Sequence, residues 1–146
     1  MRRMLHRLAV PAAVGLCLLL AGCRGRYTKL PETEATLEGT VTRGSDKVPS
    51  ALVIVQGTEG SATGYTDDDG HYKIDNVPLG EVHIAVNTDA GKGAMKSRQM
   101  ARSQGKQKGP LPKMVDVPPK YADPTSSGIT TTIEKGENTF AVQIPN

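Results

Sequence analysis

The chain is poor in aromatic residues. Its 146 residues include no tryptophan, four tyrosines and one phenylalanine. Proteins that bind sugars or nucleic-acid bases by stacking need exposed rings, and this sequence has few to offer. We therefore expect no specific binding of nucleic acid.

The N-terminus contains the longest apolar run of the chain. A run of roughly a dozen apolar residues is too short for a permanent transmembrane helix and is typical of an export signal. Basic residues precede this run and a cysteine closes it: Arg2, Arg3 and Arg7, then Leu8 onward to Leu20-Ala21-Gly22-Cys23. The pattern predicts a signal peptide over residues 1–22.

The segment Leu20-Ala21-Gly22-Cys23 resembles the lipobox of bacterial lipoproteins. This resemblance implies cleavage before Cys23, a diacylglyceryl thioether on its sulfur and acylation of the freed amine with a chain such as palmitate. The alternative is an ordinary secretory leader in which Cys23 lies beside the cut by chance. By resemblance to known sorting rules, Arg24 after the cysteine implies the outer membrane, facing the periplasm or the cell surface, where two membranes exist.

Removal of the leader changes the charge and thiol content. Three of the eighteen basic residues lie in the leader, so the remaining fifteen balance the fifteen acids. Cys17 also lies in the leader and lipid would block Cys23, which leaves no thiol for a disulfide, a metal or catalysis. We expect a domain that is stabilised by packing alone and that needs no cofactor and no metal.

The rest of the chain shows the period of β-strands. Residues 23–36 are polar and predict a flexible tether, whereas Leu37, Gly39 and Val41 begin an apolar alternation. The continuous run from Ala51 to Val55 predicts a central strand. Further alternating segments follow: Ser61 to Thr66, His71 to Asp75, Val82 to Val86, Ile129 to Ile133, and Phe140 to Ile144 after a turn at Lys135 to Asn138. We predict an all-β domain over residues 37–146, a seven-stranded antiparallel sandwich of immunoglobulin-like type without helices.

One basic segment interrupts this pattern. From about residue 90 to 113 the chain has no acid and no apolar period, and we predict a mobile loop there. Such a loop could attract an anionic lipid headgroup, an envelope polysaccharide, extracellular nucleic acid or a protein, or it could be merely solvated. Its seven cations are Lys92, Lys96, Arg98, Arg102, Lys106, Lys108 and Lys113.

Three groups of polar residues are weak candidates for chemistry. Asp67, Asp68 and Asp69 could bind calcium, but they do not alternate as EF-hand acids do, and a solvated turn explains them. His71 and His83 would lie diagonally on a hairpin, about 7 to 8 Å apart at Cα, without a third metal ligand. A nucleophile would have to be Ser61, Ser126 or Ser127, and no nucleophile-elbow motif surrounds any of them.

A longer pattern carries a family resemblance. The runs Leu37 to Val41, Ala51 to Val55, Thr66 to Ile74 and Asn76 to Gly80 resemble the carboxypeptidase regulatory-like domain. That family is a transthyretin-like β-sandwich. Its most specific parts here are the segment from Thr66 to Tyr72 and the Val77-Pro78-Leu79-Gly80 that follows. The tail from Val117 to Phe140 is similar to that of short lipoproteins of planctomycete-type bacteria. The resemblance implies no peptidase activity, because a zinc catalytic domain is not part of it.

These patterns together favour a non-catalytic, lipid-anchored protein of the bacterial cell envelope with a structural or interaction role. A protein that binds a glycan or a peptide through one end of the sandwich is the alternative. A third hypothesis is a cryptic hydrolase whose activity depends on His71 or His83.

Overall fold

The computed structural model describes residues 32–106 and 109–146. The predicted signal peptide, most of the tether, Cys23 and Lys108 lie outside these residues. The strands are β1 Ala35–Arg43, β2 Asp46–Lys47, β3 Leu52–Gln56, β4 Ser61–Tyr65, β5 His71–Asp75, β6 Gly80–Asn87, β7 Ile129–Ile133, β8 Gly136–Thr139 and β9 Val142–Ile144. The helices are α1 Asp89–Ser103, a 3-10 turn at Pro119–Ala122 and the short α2 Pro124–Ser127.

Two sheets face each other across one core. In the first sheet β1 pairs with β2 and β5 antiparallel and with β8 and β9 parallel. The second sheet has the order β4-β3-β6-β7 and is antiparallel throughout. The fold is therefore a β-sandwich, as the alternation predicts, and the apolar run around Val53 forms the central strand β3.

The strand count and the strand directions differ from the prediction. The described residues form nine strands, and two of the pairings with β1 are parallel. The segment from Lys135 to Asn138 is not a turn, because β8 starts at Gly136 and runs beside the first half of β1. The two additional strands are β2, which pairs locally with the end of β1, and β8. Both parallel pairings involve the C-terminal strands β8 and β9, whose partner β1 lies about a hundred residues away in sequence.

Apolar side chains from both sheets fill the space between them. In β1 the alternation places Leu37 and Val41 inside and Glu38 outside. The largest fully buried side chains are Leu37, Val41, Val48, Val53, Val55, Val77, Val82, Ile84, Val86, Val142 and Ile144. Burial of this set supplies the main driving force for folding.

Gly39 marks the point where β1 changes its parallel partner from β8 to β9. A Cβ at this position would overlap the carbonyl oxygen of Phe140, so the close approach of the two backbones requires glycine. The Tyr72 hydroxyl donates to the same oxygen at 2.7 Å. Burial raises the pKa of Tyr72, so this hydroxyl stays protonated and remains a donor.

The predicted histidine pair is wrong. β5 belongs to the first sheet and β6 to the second, so the bend at Asn76 to Leu79 crosses between sheets and does not close a hairpin. His71 and His83 are both exposed and lie on the outer faces of different sheets.

The predicted basic loop is also corrected. Its first half is α1, a fifteen-residue helix that runs from Asp89 to Ser103. None of the helices in residues 32–106 and 109–146 is both long enough and apolar enough to cross a membrane.

Candidate functional site

The acidic turn between β4 and β5 is built by its first carboxylate. The Oδ1 atom of Asp67 accepts hydrogen bonds from the backbone N–H groups of Asp69 at 2.8 Å and His71 at 2.9 Å. Gly70 has a φ of 76°, a left-handed conformation that suits glycine. Both features are predicted by the Asp-Asp-Asp-Gly sequence.

The other two carboxylates of the turn each meet a cation. The guanidinium of Arg98 contacts both oxygens of Asp68, with Nη1 to Oδ1 at 2.6 Å and Nη2 to Oδ2 at 2.8 Å. Lys47 on β2 contacts Asp69 at 2.7 Å. These hydrogen bonds lower the pKa of both carboxyls, and the bond to Asp68 raises the pKa of Arg98. The turn therefore interacts with two basic side chains of the same protein.

Helix α1 lies against this turn and the neighbouring loop through one face. Gly91, Met95 and Arg98 have the spacing of neighbours on a helix surface. A Cβ at Gly91 would overlap the backbone of Ser50, and the Met95 sulfur, in a side chain only 8% exposed, accepts from the Ser50 hydroxyl at 3.4 Å. The bidentate pair of Arg98 with Asp68 completes the contact. The helix thus has three attachment points on the sandwich.

The N-terminus of α1 is also tied to its surroundings. Asn87 Oδ1 accepts from the backbone N–H of Ala90 at 3.1 Å, which satisfies one of the first free donors of the helix. Lys92 contacts Asp89 at 2.6 Å and Asp116 at 3.2 Å. The hydrogen bonds to these two carboxylates raise the pKa of Lys92.

Six of the seven predicted cations lie within the described residues, and they separate into two groups. Lys92 and Arg98 form ion pairs that fix α1. The side chains of Lys96, Arg102, Lys106 and Lys113 are exposed and have no acidic partner among the described residues. Met100, 56% exposed, lies between Lys96 and Arg102 along the helix.

The other candidates for chemistry are not brought together. Among the described residues, no three side chains of His, Cys, Asp or Glu lie in positions that could hold a metal ion together. Ser126 donates to the Lys120 carbonyl at 2.6 Å, and Ser127 donates to the Pro124 carbonyl at 3.3 Å. Ser61 is exposed at the start of β4, in the same row of the second sheet as His83, but Gln56 of β3 lies between them. The two strands that carry Ser61 and His83 are therefore about 10 Å apart, beyond hydrogen-bond distance.

A groove of 620 Å³ crosses the outer face of the first sheet. Its floor consists of outward-facing residues of the neighbouring strands β5, β1 and β8. Glu38 of β1 lies between Lys73 of β5 and Thr139 of β8. Thr40 of β1 lies opposite His71 of β5. Tyr65 at the end of β4 and Asp67 of the acidic turn also line it. The sequence gives no indication of this groove, because its lining residues come from four separate stretches of the chain.

Helix α1 was missed for an identifiable reason. Gly91 and Gly93 lower the helix propensity of its first turns, and few apolar residues mark its buried face. A helical signal is nevertheless present. Asn87 and Asp89 suit a helix start, Ala90, Ala94 and Ala101 favour helix, and Gly91, Met95 and Arg98 share a face.

Comparison with known proteins adds little to this description. No family model matches the chain, and no curated protein matches it. Among the solved structures that are similar to the chain is that of the Bacillus anthracis TIE protein, over 77% of this chain and 16% of that chain, with 15% sequence identity and a TM-score of 0.41. The assignment to a small β-sandwich rests on the two sheets themselves.

Proposed function

We propose that this chain is a non-catalytic, lipid-anchored protein of the bacterial cell envelope, in which the β-sandwich presents α1 to an anionic partner. The observation that carries the proposal is the docking of α1. Three contacts fix one face of the helix, while Lys96, Arg102 and Lys106 remain exposed. A fixed array of cations binds an anionic surface at a smaller entropic cost than a loop that must order first.

The membrane is the source of negative charge that the sequence itself suggests. The resemblance of Leu20 to Cys23 to a lipobox places a lipid about a dozen residues before β1. A lipid on Cys23 would keep α1 close to anionic headgroups, and an exposed Met100 one helical turn after Lys96 suits the boundary between headgroups and acyl chains. Anionic envelope polymers offer the same charge.

The family proposal extends the resemblance already given. We propose that the domain is related to the carboxypeptidase regulatory-like sandwiches and to the short lipoproteins of planctomycete-type bacteria. The support lies in the acidic turn, where Asp67 binds turn amides, Gly70 has positive φ and Tyr72 returns to the core. These roles explain the motif as a structural device, so it carries no activity with it.

Binding of the purified protein to vesicles tests the function. Each basic residue near an anionic surface contributes about 1 kcal/mol, so the combined variant Lys96→Ala, Arg102→Ala and Lys106→Ala should bind anionic phospholipid vesicles roughly a hundredfold more weakly. The loss should shrink as salt is added. A control that removes three exposed lysines elsewhere, Lys73→Ala, Lys120→Ala and Lys135→Ala, should bind nearly as well as the parent.

Two results would contradict the proposal. Equal binding of the α1 variant and the control would show that the basic residues of α1 and its C-terminal end do not contribute to binding. Binding to neutral vesicles as strong as to anionic ones would exclude an electrostatic interaction altogether. A soluble anionic polysaccharide in the same assay distinguishes a polymer partner from a lipid one.

A further inference from the structure

The groove on the outer face of the first sheet plays no part in the function proposed for α1. We propose that it binds a neutral oligosaccharide, with the ring of Tyr65 stacked on a sugar and the polar residues of β5, β1 and β8 bound to its hydroxyls. This inference goes beyond the proposed function, because binding of a soluble sugar needs neither a lipid anchor nor an anionic surface.

Tyr65 is the first argument. Among the described residues Tyr72 and Tyr121 are buried and Phe140 is half-buried, whereas the Tyr65 side chain is 56% exposed. Burial of an aromatic ring stabilises the fold, so the exposure of the one remaining ring of residues 32–106 and 109–146 at the rim of a groove is informative. A ring whose face is apolar and whose hydroxyl is polar suits a pyranose, which also combines apolar and polar surfaces.

The polar lining is the second argument. Glu38 and Asp67 provide carboxylate oxygens that accept hydrogen bonds from sugar hydroxyls, and Lys73 provides donors. The Lys73 ammonium lies 3.9 Å from Glu38, a long contact that leaves both groups able to bind a ligand. Thr40 and Thr139 can donate or accept. This mixture of donors and acceptors matches a polyhydroxylated ligand.

Charge and size indicate which sugars the groove would take. Two carboxylates, one lysine and one histidine line it, so with the histidine uncharged its charge is slightly negative and disfavours uronic acids and phosphorylated polymers. Its volume of 620 Å³ lies within the range of about 300–1,000 Å³ that is typical of small-molecule sites. A short stretch of a neutral glycan fits both limits.

Titration of the purified full-length chain with cellohexaose, chitohexaose and maltohexaose tests the inference, with an oligogalacturonate as the anionic comparison. The chain has no tryptophan, so tyrosine fluorescence together with calorimetry follows binding directly. We expect at least one neutral hexasaccharide to bind. Tyr65→Ala should weaken this binding about tenfold, because it removes an aromatic contact, and Tyr65→Phe should retain most of it.

Two further variants make the test specific. Thr139→Arg places a long side chain into the groove from an exposed position of β8 and should abolish binding without a change in melting temperature. Leu79→Ala removes a different exposed apolar side chain and should leave binding unchanged. The inference is overturned if no neutral hexasaccharide binds, if only the oligogalacturonate binds, or if Tyr65→Ala and Thr139→Arg both bind like the parent chain.

Discussion

Thr66, which is only 5% exposed, connects the end of β4 to the loop before β3. Its hydroxyl donates to the Val48 carbonyl at 2.8 Å and accepts from the Ala51 N–H at 2.8 Å. Valine has nearly the same shape but no hydroxyl, so Thr66→Val leaves two buried backbone groups without this partner. We expect the free energy of unfolding to fall by about 1–3 kcal/mol, measured by urea denaturation.

Thr132→Val is the matched control for this substitution. Thr132 is exposed on β7, so the same chemical change there removes no buried hydrogen bond. We expect a change within about 0.5 kcal/mol, as for most surface substitutions. Equal effects of the two variants would mean that the buried hydroxyl contributes nothing beyond its shape.

Asp68 makes the docking of α1 sensitive to acid. Its hydrogen bonds to Arg98 lower its pKa below the ordinary value of 3.8. A carboxyl with a lowered folded pKa stabilises the folded state above the unfolded pKa, and that stabilisation is lost as the pH falls through the folded pKa. The contact between α1 and the turn should therefore weaken only below about pH 3.8. The effect should be small, since exposed ion pairs contribute about 0–1 kcal/mol.

The methyl resonance of Met95 reports the weakening of this contact, because Met95 lies on the buried face of α1, close to Ser50. In the parent chain we expect its chemical shift to move only as the pH falls below about 3.8. In Asp68→Asn we expect the shift to be displaced already at neutral pH. Asp69→Asn breaks the contact with Lys47 instead and should titrate like the parent. An unchanged Met95 signal in Asp68→Asn would show that the ion pair does not position the helix.

At the scale of elements, α1 contains a matched pair of glycines. A Cβ at Gly91 would overlap the Ser50 backbone, whereas a Cβ at Gly93 would have nothing within 4 Å. We expect Gly91→Ala to destabilise the protein by about 1–3 kcal/mol, because the helix must move off the loop. Gly93→Ala should stabilise it by about 0.5–1 kcal/mol, since alanine is the better helix former. Urea denaturation measures both changes.

Far-UV circular dichroism identifies where the Gly91→Ala effect arises. If the helix undocks, helical signal should be lost while the β-sheet signal remains. A Gly91→Ala variant as stable as the parent would mean that the contact between α1 and Ser50 is not close in solution.

Seven of the nine β-strands among the described residues follow from the sequence pattern, whereas the signal for α1 is weak, for physical reasons. The apolar run of β3 and the positive φ of Gly70 depend on neighbouring residues, so the sequence reveals them. The stability of α1 depends on contacts with Ser50 and Asp68, which lie 30 to 45 residues earlier. Distant packing of this kind overrides a low helix propensity.

The candidate sites show the same division. The acidic turn and the basic segment are both recognisable in the sequence, but their contact through Asp68 and Arg98 is not, because nothing in the sequence indicates which charges meet. The outward alternation of Glu38 and Lys73 is predictable from strand period. The neighbouring position of Tyr65 depends on the packing of one sheet against the other.

For the whole molecule, the pairing of acidic turn and basic helix changes how charge is distributed. The chain after residue 22 has equal numbers of acidic and basic residues. Asp68, Asp69 and Asp116 engage Arg98, Lys47 and Lys92, whereas Lys96 and Arg102 on α1 and Lys106 beyond its end have no acidic partner among the described residues. The proposed attraction to an anionic surface therefore depends on these exposed cations and not on the net charge of the chain after residue 22.

Anchoring by lipid and attraction by α1 should be separable in cells. Each buried methylene of an acyl chain contributes about 0.8 kcal/mol, so two or more chains on Cys23 would exceed the few kcal/mol expected from three cations. Cys23→Ser should therefore release most of the protein from the membrane fraction or stall its processing. The protein that remains bound should be removed by salt, and the added changes Lys96→Ala, Arg102→Ala and Lys106→Ala should abolish this residual binding.

Mass spectrometry of the parent should find acyl chains on Cys23. An unmodified Cys23, or a Cys23→Ser protein that stays in the membrane fraction at high salt, would contradict lipid anchoring at this residue.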